Sequence, residues 1–168
     1  MAINVQNTGS TRDGNVKFLV YGQAGAGKTS LIPTMPAPII LSAEGGLLSI
    51  RDSNLPFIEI DGMDTLREAY KWLTGSDEAK GFESIALDSI SEMAEVCLAA
   101  EKAKSKDPRQ AYGEMQTTMA EVVRSFRDLP CHVLFTAKLD KSQYEMGRML
   151  YSPSMPGQKT GQALPYFF

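Results

Sequence analysis

The strongest chemical signal in the 168-residue chain is a run of eight residues, Gly22-Gln23-Ala24-Gly25-Ala26-Gly27-Lys28-Thr29, followed by Ser30. It has the form G-x-x-x-x-G-K-[ST] without a mismatch. Small side chains let consecutive main-chain N–H groups converge on one point and form a nest for phosphate oxygens. A helix starting where the loop ends adds about +0.5 elementary charge there. The Lys28 ammonium can span β- and γ-phosphates, and the Thr29 hydroxyl can ligate Mg2+. Residues 22–30 therefore read as a cradle for a nucleoside triphosphate, with Thr29 as one magnesium ligand.

Two carboxylates and a lysine stand at the ends of further apolar runs. Ser84-Ile85-Ala86-Leu87-Asp88 ends in an acid, the pattern of a carboxylate that holds the Mg2+ water shell opposite Thr29. Magnesium keeps several waters and takes only one or two protein oxygens. The other reading of Asp88 is a cap for the helix that opens at Ser89 and Ile90. Glu44 follows Ile39–Ser42 and precedes Gly45-Gly46. A carboxylate there can orient or deprotonate the water that attacks a γ-phosphate; a solvated loop acid is the alternative. Lys138, after His132–Ala137, reads as a γ-phosphate sensor or as a solvated strand end. His132, the chain's one histidine, has no partner at ligand or triad spacing and reads as structural.

Such residues need a scaffold that brings several strand ends to one rim. Val16–Tyr21, Ile39–Ser42, Phe57–Ile60, Ser84–Leu87 and His132–Ala137 read as strands, and several are apolar throughout, as in a sheet covered on both faces. Between them, Met63, Leu66, Ala69, Tyr70 and Leu73 recur at helical spacing from Asp64 to Gly75. So do Ile90, Met93, Ala94, Cys97 and Leu98, and then Tyr112, Met115, Met119, Val122, Phe126 and Leu129. Thr29–Met35 can open only a short helix, because Pro33, Pro36 and Pro38 punctuate it. Lys102–Arg109 reads as a basic loop or frayed helix end, and Leu139–Gly157 as a turn-rich segment that could form a hairpin. Alternating strands and helices predict an α/β fold with a mainly parallel central sheet and helices on both faces. Ligands in such sheets bind beyond the carboxyl ends of the strands.

The chain's size fits one domain: a tail over residues 1–15 and a core over 16–168. A composition of 43% hydrophobic and 22% charged residues excludes disorder and collagen-like sequence. No apolar run approaches the ~20 residues that span a bilayer, so no membrane is expected as a partner. Cys97 and Cys131 lie in hydrophobic segments without metal-ligand spacing, so buried thiols in a reducing, cytoplasmic compartment are expected. Net charge is -3, which argues against an indiscriminate polyanion binder. Yet residues 1–99 hold seven Lys/Arg against thirteen Asp/Glu, and residues 100–168 hold ten against seven. One basic face for phosphates, or uneven surface charge with no partner, both follow from that asymmetry.

Taken together, GQAGAGKT, the strand-end acid of ILSAEGG, ALDSIS and LFTAK resemble the RecA-type recombinase core. With SAEGGL, DPRQAYGEM and YSPSMPG, the chain is similar to short phage ATPases of the RecA-like, single-strand annealing kind. The resemblance implies a Mg2+-dependent ATPase in the host cytoplasm, acting in phage DNA recombination or single-strand annealing. It assigns hydrolysis to Glu44 beside Lys28, metal binding to Asp88 with Thr29, and nucleotide–DNA coupling to Lys138, where the family usually has Gln. It implies single-stranded DNA contacts from Lys102, Lys104, Lys106 and Arg109, and from Lys141, Tyr144, Arg148 and Tyr151. Cations beside aromatics are the chemistry that a single strand needs. It further implies a ring or filament of copies, a single-strand binding protein as a partner, and a core that continues past Phe168. A nucleotide-gated interaction module and a small-molecule kinase share the phosphate cradle and stay open as alternatives.

Overall fold

Apolar runs bounded by glycine, proline and acidic residues become the strands of one sheet. In the computed structural model, which describes residues 14–143 and 147–168 without the side chains of Gln158 and Lys159, these are β1 (Lys17–Gly22), β2 (Pro38–Ser42), β3 (Phe57–Glu59), β4 (Ser84–Asp88), β5 (His132–Gln143) and β6 (Met149–Pro153). The α-helices are α1 (Met63–Gly75), α2 (Ile90–Lys104), α3 (Pro108–Arg127) and α4 (Gln158–Ala163). The tail expected over residues 1–15 lies outside the described residues except for Gly14 and Asn15.

The strands lie in the order β1-β5-β4-β2-β3, parallel throughout, with β6 antiparallel to β5. Every residue of β2 and β4 is buried, which is why both are apolar through their middle positions, Ile39–Leu41 and Ile85–Leu87. β5 behaves differently along its length. It pairs with β1 and β4 from His132 to Lys138, then leaves the parallel sheet and pairs with β6 from Leu139 to Gln143. The segment expected as a turn-rich hairpin is thus the outer half of a core strand together with its antiparallel partner.

The two faces are covered unequally. On one, Leu41, Leu87 and Phe135 pack against Leu66, Met93, Met119 and Phe126 from α1, α2 and α3. On the other, Ile40, Ala86 and Leu134 meet Ile32 and Ile50, which come from the 3-10 helices Thr29–Thr34 and Leu47–Ser53. The first of these contains Pro33 and gives way to Pro36 and Pro38, so an α-helix of normal length cannot form. Helix starts follow local chemistry: Ser89 caps α2, and Asp107 accepts from the Arg109 N–H (2.9 Å) with Pro108 opening α3. Of the basic loop or frayed helix end expected over Lys102–Arg109, the helix end describes Lys102–Lys104, and the Asp107 cap corrects the rest. Lys102 and Lys104 are the last turn of α2, Arg109 is the first turn of α3, and only residues 105–107 connect them.

Phe126 anchors the helical layer. It is buried, and its ring meets Tyr70 edge-on at 5.1 Å and 76°. Phe126→Ala should lower stability by about 3–5 kcal/mol through lost burial and a residual cavity, read as a fall in the urea midpoint with an unchanged slope. The remaining expectations about single residues also resolve structurally. His132 Nδ1 accepts the Val16 N–H at 3.1 Å. Cys97 is buried and Cys131 half-buried, both free, and desolvation pushes both thiols above the ordinary cysteine range. No helix among the described residues is long and apolar enough to cross a membrane.

Candidate active site

The sheet face that carries Ile40, Ala86 and Leu134 turns polar in its last row. Side chains alternate along a strand, so Ser42, Asp88 and Thr136 lie on that same face, at the carboxyl ends of β2, β4 and the parallel part of β5. Ser42 pairs in register with Asp88, and all three residues are buried. Thr29 Oγ1 donates to Asp88 Oδ2 at 2.8 Å, and Thr136 Oγ1 donates to Asp88 Oδ1. The two residues expected to hold magnesium are therefore in direct contact. Ser42 Oγ has no hydrogen-bond partner among the described residues, although buried hydroxyls are nearly always satisfied. An orphaned hydroxyl next to a buried carboxylate fits a hydrated Mg2+, whose waters would satisfy it. Magnesium takes few protein oxygens when phosphates supply the rest.

The loop of residues 22–29 lies beside this row. Gly25 and Gly27 adopt φ of 75° and 84°, conformations that cost other residues free energy and that turn successive N–H groups outward. A β-carbon on Gly22 would come within 3.2 Å of that of Ala26, so the first glycine sets how tightly the loop closes. Inside the loop, Ala26 N–H donates to the Gln23 carbonyl (3.2 Å); the N–H groups of Gly25, Gly27 and Lys28 have no partner among the described residues. Residues 23–27 are exposed, which makes the cradle open to solvent. Lys28 Nζ folds over it and donates to the carbonyls of Gly22 (3.1 Å) and Gln23 (3.0 Å). Ser30 is exposed at the start of the 3-10 helix. That helix has six residues, so its dipole contributes less than the full helix supposed from the motif, and the nest and Lys28 carry the anion site.

Glu44 reaches the same rim because the Ala43 N–H donates to the Asp88 carbonyl at 2.8 Å, tying the end of β2 to β4. Its Oε1 accepts from Ser89 Oγ at 2.6 Å and lies 3.5 Å from Lys138 Nζ. Both contacts fall on Oε1, and Oε2 has none among the described residues. Lys138 arrives through the strand order: β5 is inserted between β1 and β4, and the Lys138 Cα pairs with Gly22. Its main chain is fixed. The N–H donates to Ser91 Oγ (2.9 Å), Ser91 Oγ donates to the Ser154 carbonyl (2.7 Å), and the Ser154 N–H donates back to the Lys138 carbonyl (2.7 Å). The Lys138 ammonium sits 2.6 Å from Glu92 Oε2. That hydrogen bond, with the nearby Glu44 charge and against some desolvation, raises its pKa above the ordinary lysine value.

Sequence reasoning did not find Thr136, Ser42, Ser91 or Glu92. A signal existed for each: Thr136 and Ser42 are polar positions in apolar strands, Ser91 is a polar position among the buried residues of α2, and Ser89-x-x-Glu92 has capping-box spacing.

The cations assigned to DNA fall into two groups. α3 ends at the amino edge of the sheet, where β5 starts, whereas its first turns reach Gly157 past the carboxyl edge. A β-carbon on Gly157 would lie 3.0 Å from Gln116 Nε2. The α2–α3 junction therefore stands on the same side as the phosphate loop. There Lys102 lies 5.3 Å over the Tyr112 ring, Lys104 pairs with Glu101 at 2.8 Å, and Lys106 and Arg109 are exposed. On the β5–β6 hairpin, Lys141 lies 5.8 Å from the ring of Tyr151, and Arg148 is exposed just before β6. Tyr144 lies outside the described residues.

No curated protein matches the chain by sequence. Among solved structures, a prototypical ATPase from the type III secretion system of pathogenic bacteria superposes with a TM-score of 0.58 and 12% identity. The match covers 90% of this chain and 48% of that one, so the chain spans about half the length of that ATPase. At that identity the likeness establishes a RecA-like fold and nothing about substrate. The sequence family described as the AAA domain matches residues 14–168, a span that takes in the phosphate loop, both acidic strand ends and Lys138. On that match the chain belongs to the AAA domain family of P-loop ATPases.

Proposed function

We propose that this domain hydrolyses ATP with Mg2+ and couples turnover to single-stranded DNA, in annealing or strand pairing of the kind associated with RecA-like phage recombinases. The observation that carries the coupling is the continuity of β5. One strand passes Lys138, 3.5 Å from Glu44, and runs on without a break to Lys141 and the β6 hairpin. Force or displacement at the hairpin has a direct main-chain route to the hydrolytic rim, through the Ser91–Ser154 bonds that clamp it there.

The chain's own residues divide the chemistry. The free N–H groups of Gly25, Gly27 and Lys28 bind phosphate oxygens, and the Lys28 ammonium exchanges its two loop carbonyls for them. Thr29 and Asp88 hold Mg2+, with Ser42 and Thr136 behind them. When bound, Mg2+ neutralises charge on the β- and γ-phosphates. Glu44, steadied through Oε1 by Ser89, presents Oε2 to a water as general base. The side chain is 30% exposed, so water can reach it.

For DNA, exposed Tyr151, Met149 and Leu150 flank Lys141 and Arg148 on the hairpin, an arrangement that suits bases stacked beside a phosphate track. ATP turnover should rise on adding a single-stranded oligonucleotide. With about four phosphates neutralised, log K for the oligonucleotide should fall with log salt at a slope of about −3. A flat salt response, or turnover indifferent to the oligonucleotide, rejects the DNA assignment and leaves a nucleotide-gated interaction module.

A further inference from the structure

Glu92 occupies the third position of α2 after the Ser89 cap, where a glutamate normally turns back to its capping residue's N–H. Here only half of that box forms: the Glu92 N–H points at Ser89 Oγ (3.4 Å), while the carboxylate turns away to Lys138. The Ser89 hydroxyl is itself directed at Glu44 (2.6 Å). Lys138 thus stands between two carboxylates, 2.6 Å from Glu92 and 3.5 Å from Glu44. Its backbone is clamped by Ser91 and Ser154, so only the side chain is free to move, and that side chain starts beside Gly22 at the mouth of the phosphate loop. All three charged groups are partly open to solvent: 50% exposed for Lys138, 33% for Glu92 and 30% for Glu44.

We infer that Glu92 is a positioning residue that parks the Lys138 ammonium away from the phosphate loop and releases it only to a nucleotide bearing a γ-phosphate. This deepens the ATPase reading above and rests on it. A flexible four-carbon stem with three rotatable donors suits such a transfer better than an amide or a guanidinium would. Any triphosphate that recruits Lys138 must first displace Glu92. Its apparent affinity is therefore reduced by the fraction of molecules in which the lysine is parked. A diphosphate, which does not reach for Lys138, escapes that reduction. The tether sharpens the cost of binding ATP and so links occupancy of the site to the position of Glu44's cationic neighbour.

The test is binding of MgATPγS and MgADP to the full chain, measured by calorimetry for wild type, Glu92→Gln, Lys138→Met and the double variant. Gln keeps the shape, and the cap keeps its main-chain bond, so Glu92→Gln should fold like wild type. Glu92→Gln should tighten MgATPγS by about fivefold, the size of a partly exposed ion pair, and leave MgADP within twofold. In the Lys138→Met background the same substitution should change neither. Equal shifts for the two nucleotides, no shift, or a shift that persists without Lys138 would overturn the tether. A wild type that binds neither nucleotide would instead overturn the ATPase reading on which it rests.

Discussion

Lys28→Ala should reduce affinity for MgATP by about 10²–10³-fold while leaving the fold intact. The reason lies in how little else at the loop is positive. The segment after it is a 3-10 helix of six residues interrupted by Pro33, so the aligned dipoles that a long helix would supply are largely missing. What remains is the nest of N–H groups and one ammonium. That ammonium also bonds the carbonyls of Gly22 and Gln23, at 3.1 and 3.0 Å. Removing it deletes two charge-assisted contacts to phosphate, each worth roughly 1.5–3 kcal/mol. It also leaves two carbonyl dipoles near the incoming anion. Two such contacts at the lower end of that range come to about 3–4 kcal/mol, which corresponds to the stated loss. Folding should be indifferent, because Lys28 belongs to neither hydrophobic cluster and its neighbours in the loop are exposed. Calorimetric titration alongside a thermal melt separates the two outcomes; affinity within threefold of wild type would remove Lys28 from the site.

The parts of this site legible in the sequence are those where geometry dictates residue type over a short span. Gly25 and Gly27 must take positive φ, so the loop announces itself. Asp88 does so because an acid ending an otherwise apolar run is conspicuous. What stayed hidden depends on which strands become neighbours. Thr136 is a hydroxyl in HVLFTA until β5 is known to lie next to β4; only then is it the donor to Asp88. Glu92 reads as half of a capping box until Lys138, 46 positions away, arrives beside it. Those pairings are set by a sheet order no local pattern encodes. The segment Lys102–Arg109 shows the opposite failure. The start of α3 was written there, in Asp107 followed by Pro108, but the density of positive charge suggested a basic loop or the frayed end of the preceding helix and concealed it. The unequal cover of the two faces was partly visible, since three prolines after the phosphate loop leave space for a 3-10 helix and little more.

Glu44→Gln should separate binding from hydrolysis. The substitution is nearly isosteric, and its carbonyl oxygen can still accept from Ser89 Oγ, so the end of β2 keeps its place against Asp88 through the Ala43 main-chain bond. MgATP affinity should therefore stay within about twofold to threefold of wild type. What disappears is the capacity of the second oxygen to take a proton. An amide nitrogen there donates instead, and a water hydrogen-bonded to it would present its lone pair to the enzyme rather than to phosphorus. General-base assistance contributes typically 10²–10⁴-fold, so kcat should fall by roughly that amount. KM should change little, which is the pattern of an interaction made in the transition state alone. Single-turnover release of phosphate from prebound ATP is the decisive measurement, because it bypasses nucleotide exchange. If Glu44 were only a solvated loop acid, the variant would release phosphate at the wild-type rate. The Ser89 and Lys138 contacts would then be surface packing, and the hydrolytic water would have to be activated by another group on the rim. Asp88 is a poor substitute, since both its oxygens are already engaged by Thr29 and Thr136. Glu92 is held through Oε2 against the Lys138 ammonium at 2.6 Å. Glu44 has Oε2 unengaged among the described residues and follows a main chain tied to Asp88 through the Ala43 N–H, so the geometry favours it, and the rate of that single turnover decides whether it does the work.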